Sequence, residues 1–219
     1  MFRNQYLRIL YPLLFAVSLN VHGSTASFNI LSANFYGNSY FLPQSAGYVF
    51  TPLSDVVVSS LGFYDYQGDG LGESHPVGIF NNTGNLLTSA VVFSGTENPL
   101  ENGFRYTDIA PLTLSAGQSY TVATLFQTNA DVIGYADVSD TLVNPFITLG
   151  SVPARYILQT GTELQFPTET ALLVTEMFYG PNFKLKAVPL PGAVIMFGSA
   201  IAGLSFLGLV RKNDRGLSA

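Results

Sequence analysis

Val56-Val57-Val58-Ser59-Ser60-Leu61-Gly62-Phe63-Tyr64-Asp65-Tyr66 is the stretch that decides the fold. Three successive valines, then Leu61, Phe63 and Tyr64, are residues that pack well on a pleated sheet and lose side-chain freedom in a helix. The run ends at Gln67-Gly68-Asp69-Gly70, a cluster of turn formers. Working outward, the same pattern predicts strands over Gly47–Thr51, Val56–Tyr66, Val77–Phe80, Leu86–Phe93, Phe104–Ile109 and Thr113–Leu114. It continues over Ser119–Gln127, Val132–Tyr135, Arg155–Leu158 and Leu172–Phe178. In Ser119–Gln127, Tyr120, Val122 and Thr124 alternate with Thr121, Ala123 and Leu125, which predicts a strand covered on both faces. Asn81–Asn85 and Ser115–Gln118 read as turns. No stretch from Phe28 to Ala187 carries a helical period, and strands about ten residues apart predict an all-β, antiparallel two-sheet sandwich or jelly-roll-like body. Asn129 to Pro153 is the weakest strand region and is expected to hold long loops.

The chain has 219 residues, of which 11% are charged, and no Cys. Without Cys there is no disulfide framework, thiolate zinc site, iron–sulfur cluster or cysteine nucleophile. The net charge of −5 is unevenly placed. Between Phe28 and Ala187 only Arg105, Arg155, Lys184 and Lys186 oppose 13 of the 14 carboxylates. So acidic a body repels phosphate backbones, and nucleic acid is not an expected partner.

The ends read differently. Arg3 and Arg8 precede an apolar run from Ile9 to Leu19, which passes into the small, polar Gly23-Ser24-Thr25-Ala26-Ser27. This is the layout of a signal peptide over 1–26, with Ala26 as the residue before the cut and signal peptidase as the enzyme. The run is too short to span a bilayer, which takes about 20 residues. The exported body is then 27–187. Segment 188–215 has three parts: Val188-Pro189-Leu190-Pro191 over 188–191, an uncharged apolar stretch over 192–210, and a basic cluster with Arg211 and Lys212 over 211–215. At 1.5 Å per residue, a helix over 192–210 would be roughly 28 Å long, near the hydrocarbon thickness. The basic cluster predicts that this end stays cytoplasmic and the body lies across the membrane.

Val188-Pro189-Leu190-Pro191, Phe197-Gly198-Ser199-Ala200, Ala202-Gly203-Leu204 and Arg211-Lys212 together resemble the PEP-CTERM sorting signal of Gram-negative bacteria, in its VPLPA subtype. Leu190 stands where the general signal has Glu, and Gly192 where the subtype usually has Ala. The resemblance implies recognition by an exosortase, a membrane-embedded cysteine transpeptidase that would cut near the Pro motif. The body would then pass to the cell surface or an extracellular polysaccharide (biofilm) matrix. The body also resembles a β-domain that recurs ahead of this signal. The likeness lies in Gly47–Thr51, Ser59 with Leu61–Asp65, Gly68–Leu71, His75–Ile79, Gly103–Tyr106 and Leu114–Tyr120. It implies a fold and a location, not an activity.

The densest polar stretch is Asp65 to His75. Asp65, Asp69 and Glu73 on a Gly-rich turn could converge on calcium, which takes six to eight oxygens. Asp-Gly pairs equally suit a plain hairpin turn. His75 is the one His outside the leader, so a single chain cannot build a His₂ metal site. No G-x-S-x-G occurs, and no carboxylate pair for glycoside hydrolysis stands out. Tyr36, Tyr40, Tyr64, Tyr66 and Tyr106 are the rings that could stack on sugars. Arg105, between Phe104 and Tyr106, should pair with an acid near Asp108 or with a C-terminal carbonyl, and the sequence does not choose between them. The expectation is a non-enzymatic surface or matrix protein with a structural, adhesive or polysaccharide-associated role. The alternatives are a displayed carbohydrate-active enzyme or lectin, and a permanently anchored single-pass protein.

Overall fold

The computed structural model describes residues 24–32, 34–36, 43–170 and 176–187. Residues 1–23 of the expected leader, the Pro motif, the 192–210 segment and the basic tail lie outside the described residues, as do Tyr40 and Leu172–Thr175.

Within the described residues the chain is all-β and antiparallel. Its strands are β1 (Thr25–Ala26), β2 (Phe28–Ile30), β3 (Asn34–Tyr36), β4 (Gln44–Pro52), β5 (Val56–Tyr64), β6 (His75–Asn81), β7 (Leu86–Val92) and β8 (Leu100–Glu101). There follow β9 (Phe104–Leu114), β10 (Tyr120–Phe126), β11 (Ile133–Asp137), β12 (Thr141–Val143), β13 (Ile147–Leu158), β14 (Glu169–Thr170), β15 (Glu176–Tyr179) and β16 (Pro181–Ala187). Short 3-10 turns lie at Tyr66–Gly68 and Val138–Asp140.

Two sheets are large, ordered β1-β16-β5-β9-β8 and β14-β13-β4-β10-β6-β7; two small ones are β15-β11-β3 and β12-β2. The chain passes between the large sheets from β4 to β5, β5 to β6, β7 to β8 and β9 to β10. Inward side chains of both enter one apolar core. Phe50 of β4 meets Phe183 of β16 with ring centroids 4.5 Å apart, and Phe63 of β5 meets Phe126 of β10 at 5.5 Å. β10 is buried along its whole length, as its two-faced apolar pattern requires.

In Asn129 to Pro153, expected to hold long loops around the strand at Val132–Tyr135, that strand is present as β11, and β12 and much of β13 take the place of the loops. Gly150 and Pro153 break the strand pattern because β13 is irregular there: its register against β4 shifts between Leu149 and Ala154. The two candidate strands around Pro111 are one strand, β9. Its register against β5 shifts beside Ser59, so Pro111 falls where no ladder donor is needed. β1, β2, β3, β8, β12, β14 and β16 had no counterpart in the sequence expectation.

β1 is antiparallel to β16, with Thr25 opposite Leu185, and Ala187 lies opposite Val56. Both ends of the body therefore leave at one pole, where β5 begins and β9 ends. β5 then runs about 26 Å, at ~3.3 Å per residue, to the opposite pole. There it opens into the loop from Asp65 to Ser74.

Candidate functional site

Asp65 is the first residue past β5, and it is buried. Its carboxylate accepts the Arg105 Nε–H at 2.6 Å and the Gly70 N–H at 3.1 Å. Arg105, also buried, further donates to the carbonyls of Thr96, Asn98 and Gly68 at 3.0, 2.8 and 3.2 Å. Asp65, 40 positions upstream, is thus the acid that pairs with Arg105. One guanidinium ties three chain segments together at the distal pole, and the desolvation of both charges is offset by these hydrogen bonds.

On this footing the loop turns tightly. Gln67 has φ +70° and Gly68 φ +75°. Left-handed backbone is uncommon for a residue with a side chain, and such positions cluster at functional sites. Gly72 is needed for another reason. A Cβ there would lie 2.9 Å from the Ala130 side chain, so the loop can approach segment 127–132 only as glycine.

Two carboxylates lock these segments reciprocally. Asp131 accepts the backbone N–H groups of Gly72 and Glu73, both at 2.9 Å. Glu73 returns the contact, accepting from Gln127 at 3.3 Å and Thr128 at 3.1 Å. Asp131 also takes His75 Nε2 at 2.9 Å. The other ring nitrogen, Nδ1, lies 3.2 Å from the Leu125 carbonyl oxygen. The imidazole stacks on Phe63 with centroids 3.5 Å apart, closing the core beneath the clasp. Burial pushes the Asp131 carboxyl up, but the hydrogen bonds from His75, Gly72 and Glu73 outweigh it and hold the group below its ordinary value.

Between the two locked segments lies a cavity of about 250 Å³, lined by Tyr66, Gln67, Asp69, Gly70, Gly72, Ala130, Asp131 and Val132. Tyr66 is 39% exposed at its wall. An aromatic face beside an amide and carboxylates suits a small, hydroxyl-rich ligand: the face can stack while the polar groups hydrogen-bond.

The three residues expected to converge on calcium, Asp65, Asp69 and Glu73, are placed as follows. Asp65 is spent on Arg105 and Gly70, and Glu73 on Gln127 and Thr128, leaving only Asp69 facing the cavity. Among the described residues no three His, Asp or Glu side chains gather as a metal group. Of the candidate stacking rings, Tyr66 is at the cavity. Tyr106 is buried beneath the Lys184 ammonium, and Tyr64 packs edge-on against Phe104. Asp131 was not singled out by sequence: it lies 56 positions from His75, in the region with the weakest strand pattern.

No protein-family model matches the chain, and no curated protein matches it. The likeness of 188–212 to the sorting signal thus rests on those residues alone.

Proposed function

We propose that the chain is an exported protein, held by its C-terminal sorting segment and delivered to the cell surface or matrix. On this reading its body is a two-sheet, jelly-roll-like sandwich with a non-enzymatic, polysaccharide-associated role carried by the Tyr66–Val132 cavity. The observation that carries it is the polarity of the body. Both chain ends leave one pole, where a leader and a sorting helix could reach the same bilayer, and the cavity sits at the other pole, facing away. The sorting step would belong to exosortase acting near Val188, Pro189, Leu190 and Pro191, with Arg211 and Lys212 retaining the precursor. The surplus of carboxylates on the body, with Asp69 and Asp131 at the cavity, favours neutral or amino sugars over uronic acids.

The test is titration of the purified, processed protein with chitosan oligomers and, separately, alginate oligomers. Chitosan oligomers should bind, and Tyr66→Ala should weaken binding at least about tenfold while leaving the melting temperature within a degree or two. Equal binding of both sugars, or no change in Tyr66→Ala, would remove the cavity from the reading. Shortened oligomers after incubation would favour the enzyme instead.

A further inference from the structure

The first described residues are part of the fold and not a lead-in to it. Ser24 Oγ lies 2.6 Å from Ser59 Oγ of β5. Thr25 and Ala26 form β1 against Leu185 and Lys184 of β16, and Ala26 is only 7% exposed. The buried Asn144 side chain donates from Nδ2 to Thr25 Oγ1 at 2.8 Å and to the Ala26 carbonyl at 3.0 Å.

Ser27 is fully buried. Its N–H donates to the Phe183 carbonyl at 2.7 Å, and its own carbonyl accepts the Asn144 N–H at 2.9 Å. Its hydroxyl joins Asn182 Oδ1 and the Tyr48 hydroxyl. The 26–27 peptide bond thus lies inside a closed hydrogen-bond net.

A cut after Ala26 would remove β1 and expose the outer edge of β16. It would also leave the Asn144 amide without its Thr25 and Ala26 acceptors. The new α-ammonium of Ser27 would then be a charge in a fully buried position, which is expensive to desolvate. Three residues earlier none of this applies. Ser24 is only partly buried, and Val21-His22-Gly23 offers Gly23 at −1 and the compact, uncharged Val21 at −3. A leader peptidase acts on the unfolded chain, so both bonds are open to it. What separates them is the fold that each product can complete.

Resting on the exported reading above, we propose that the leader is cut between Gly23 and Ser24, so that the mature chain starts at Ser24 and keeps β1. The test is N-terminal sequencing and intact mass of the full chain exported from a Gram-negative host. A Ser24 start is expected. A Ser27 start would overturn this inference while leaving export intact; an unprocessed Met1 start would overturn the export reading itself. In a second arm, Gly23→Tyr places a bulky side chain at −1. It should leave the leader attached, whereas processing of that variant to Ser27 at an unchanged rate would count against the Gly23–Ser24 bond.

Discussion

Removing the Asp65 carboxylate would strand the Arg105 guanidinium in a site only 5% exposed, with carbonyls around it but no counter-charge. Breaking one side of a buried pair costs about 3–5 kcal/mol, so Asp65→Ala should lower the denaturant midpoint accordingly. The double variant Asp65→Ala/Arg105→Met should recover part of the loss, because it removes the uncompensated charge. A loss below about 1 kcal/mol in the single variant would mean that the pair does not hold the distal pole. Asp131 makes a pH-dependent contribution of definite sign. Its folded-state value lies below the ordinary one, so its stabilisation is fully present above about pH 4 and is lost as pH falls through the lowered value. Asp131→Asn should therefore be less stable at neutral pH and show a flatter decline of melting temperature in acid. Parallel acid limbs for the two proteins would contradict this. Tyr106→Phe tests a different residue. The Tyr106 hydroxyl is buried and has no hydrogen-bond partner among the described residues, so its removal should leave stability unchanged or raise it.

At the level of elements, β4 is clamped between β10 and β13, and Gly47 lies where β10 presses closest. A Cβ at Gly47 would run into the Val122 carbonyl and come within 2.7 Å of the Ala123 Cα. Gly47→Ala should cost about 3 kcal/mol or more, at or above the top of the usual overpacking range, or prevent folding. Gly150, in the irregular part of β13, is its control. It has open space around a Cβ and no left-handed φ, so Gly150→Ala should be neutral or stabilise by up to about 1 kcal/mol. Comparable thermal melts for the two variants would refute the contrast. The same elements show what could be read in advance. β5, β7 and β10 were legible because unbroken β-branched and aromatic runs end in turn residues. β13 was half hidden because its irregularity requires the Gly and Pro that mark a loop elsewhere. β16 alternates Phe183 and Leu185 inward with Lys184 outward, yet it is bracketed by Pro181 and the Pro motif, which mask the pattern. The distal loop was legible as a polar turn, but its partners were not. Arg105 reaches Asp65 across 40 positions and His75 reaches Asp131 across 56, and no local spacing encodes such contacts.

For the molecule as a whole, the shared exit of the two ends has a mechanical meaning. A body held at Ala187 while its distal loops grip a fixed polymer carries load along the axis of β16. That strand lies between β1 and β5, so the pull must slide it past all its β5 partners at once, a shear geometry that resists rupture. Pulling on the two ends, by contrast, peels β1 from β16 one pair at a time. With no native Cys, a single Glu97→Cys handle at the distal pole makes the comparison clean. Single-molecule stretching from Glu97→Cys to the C-terminal end should break at a markedly higher force than stretching from end to end. Such a domain would be a strong link when loaded along its strands and a weak one when its own ends are drawn apart.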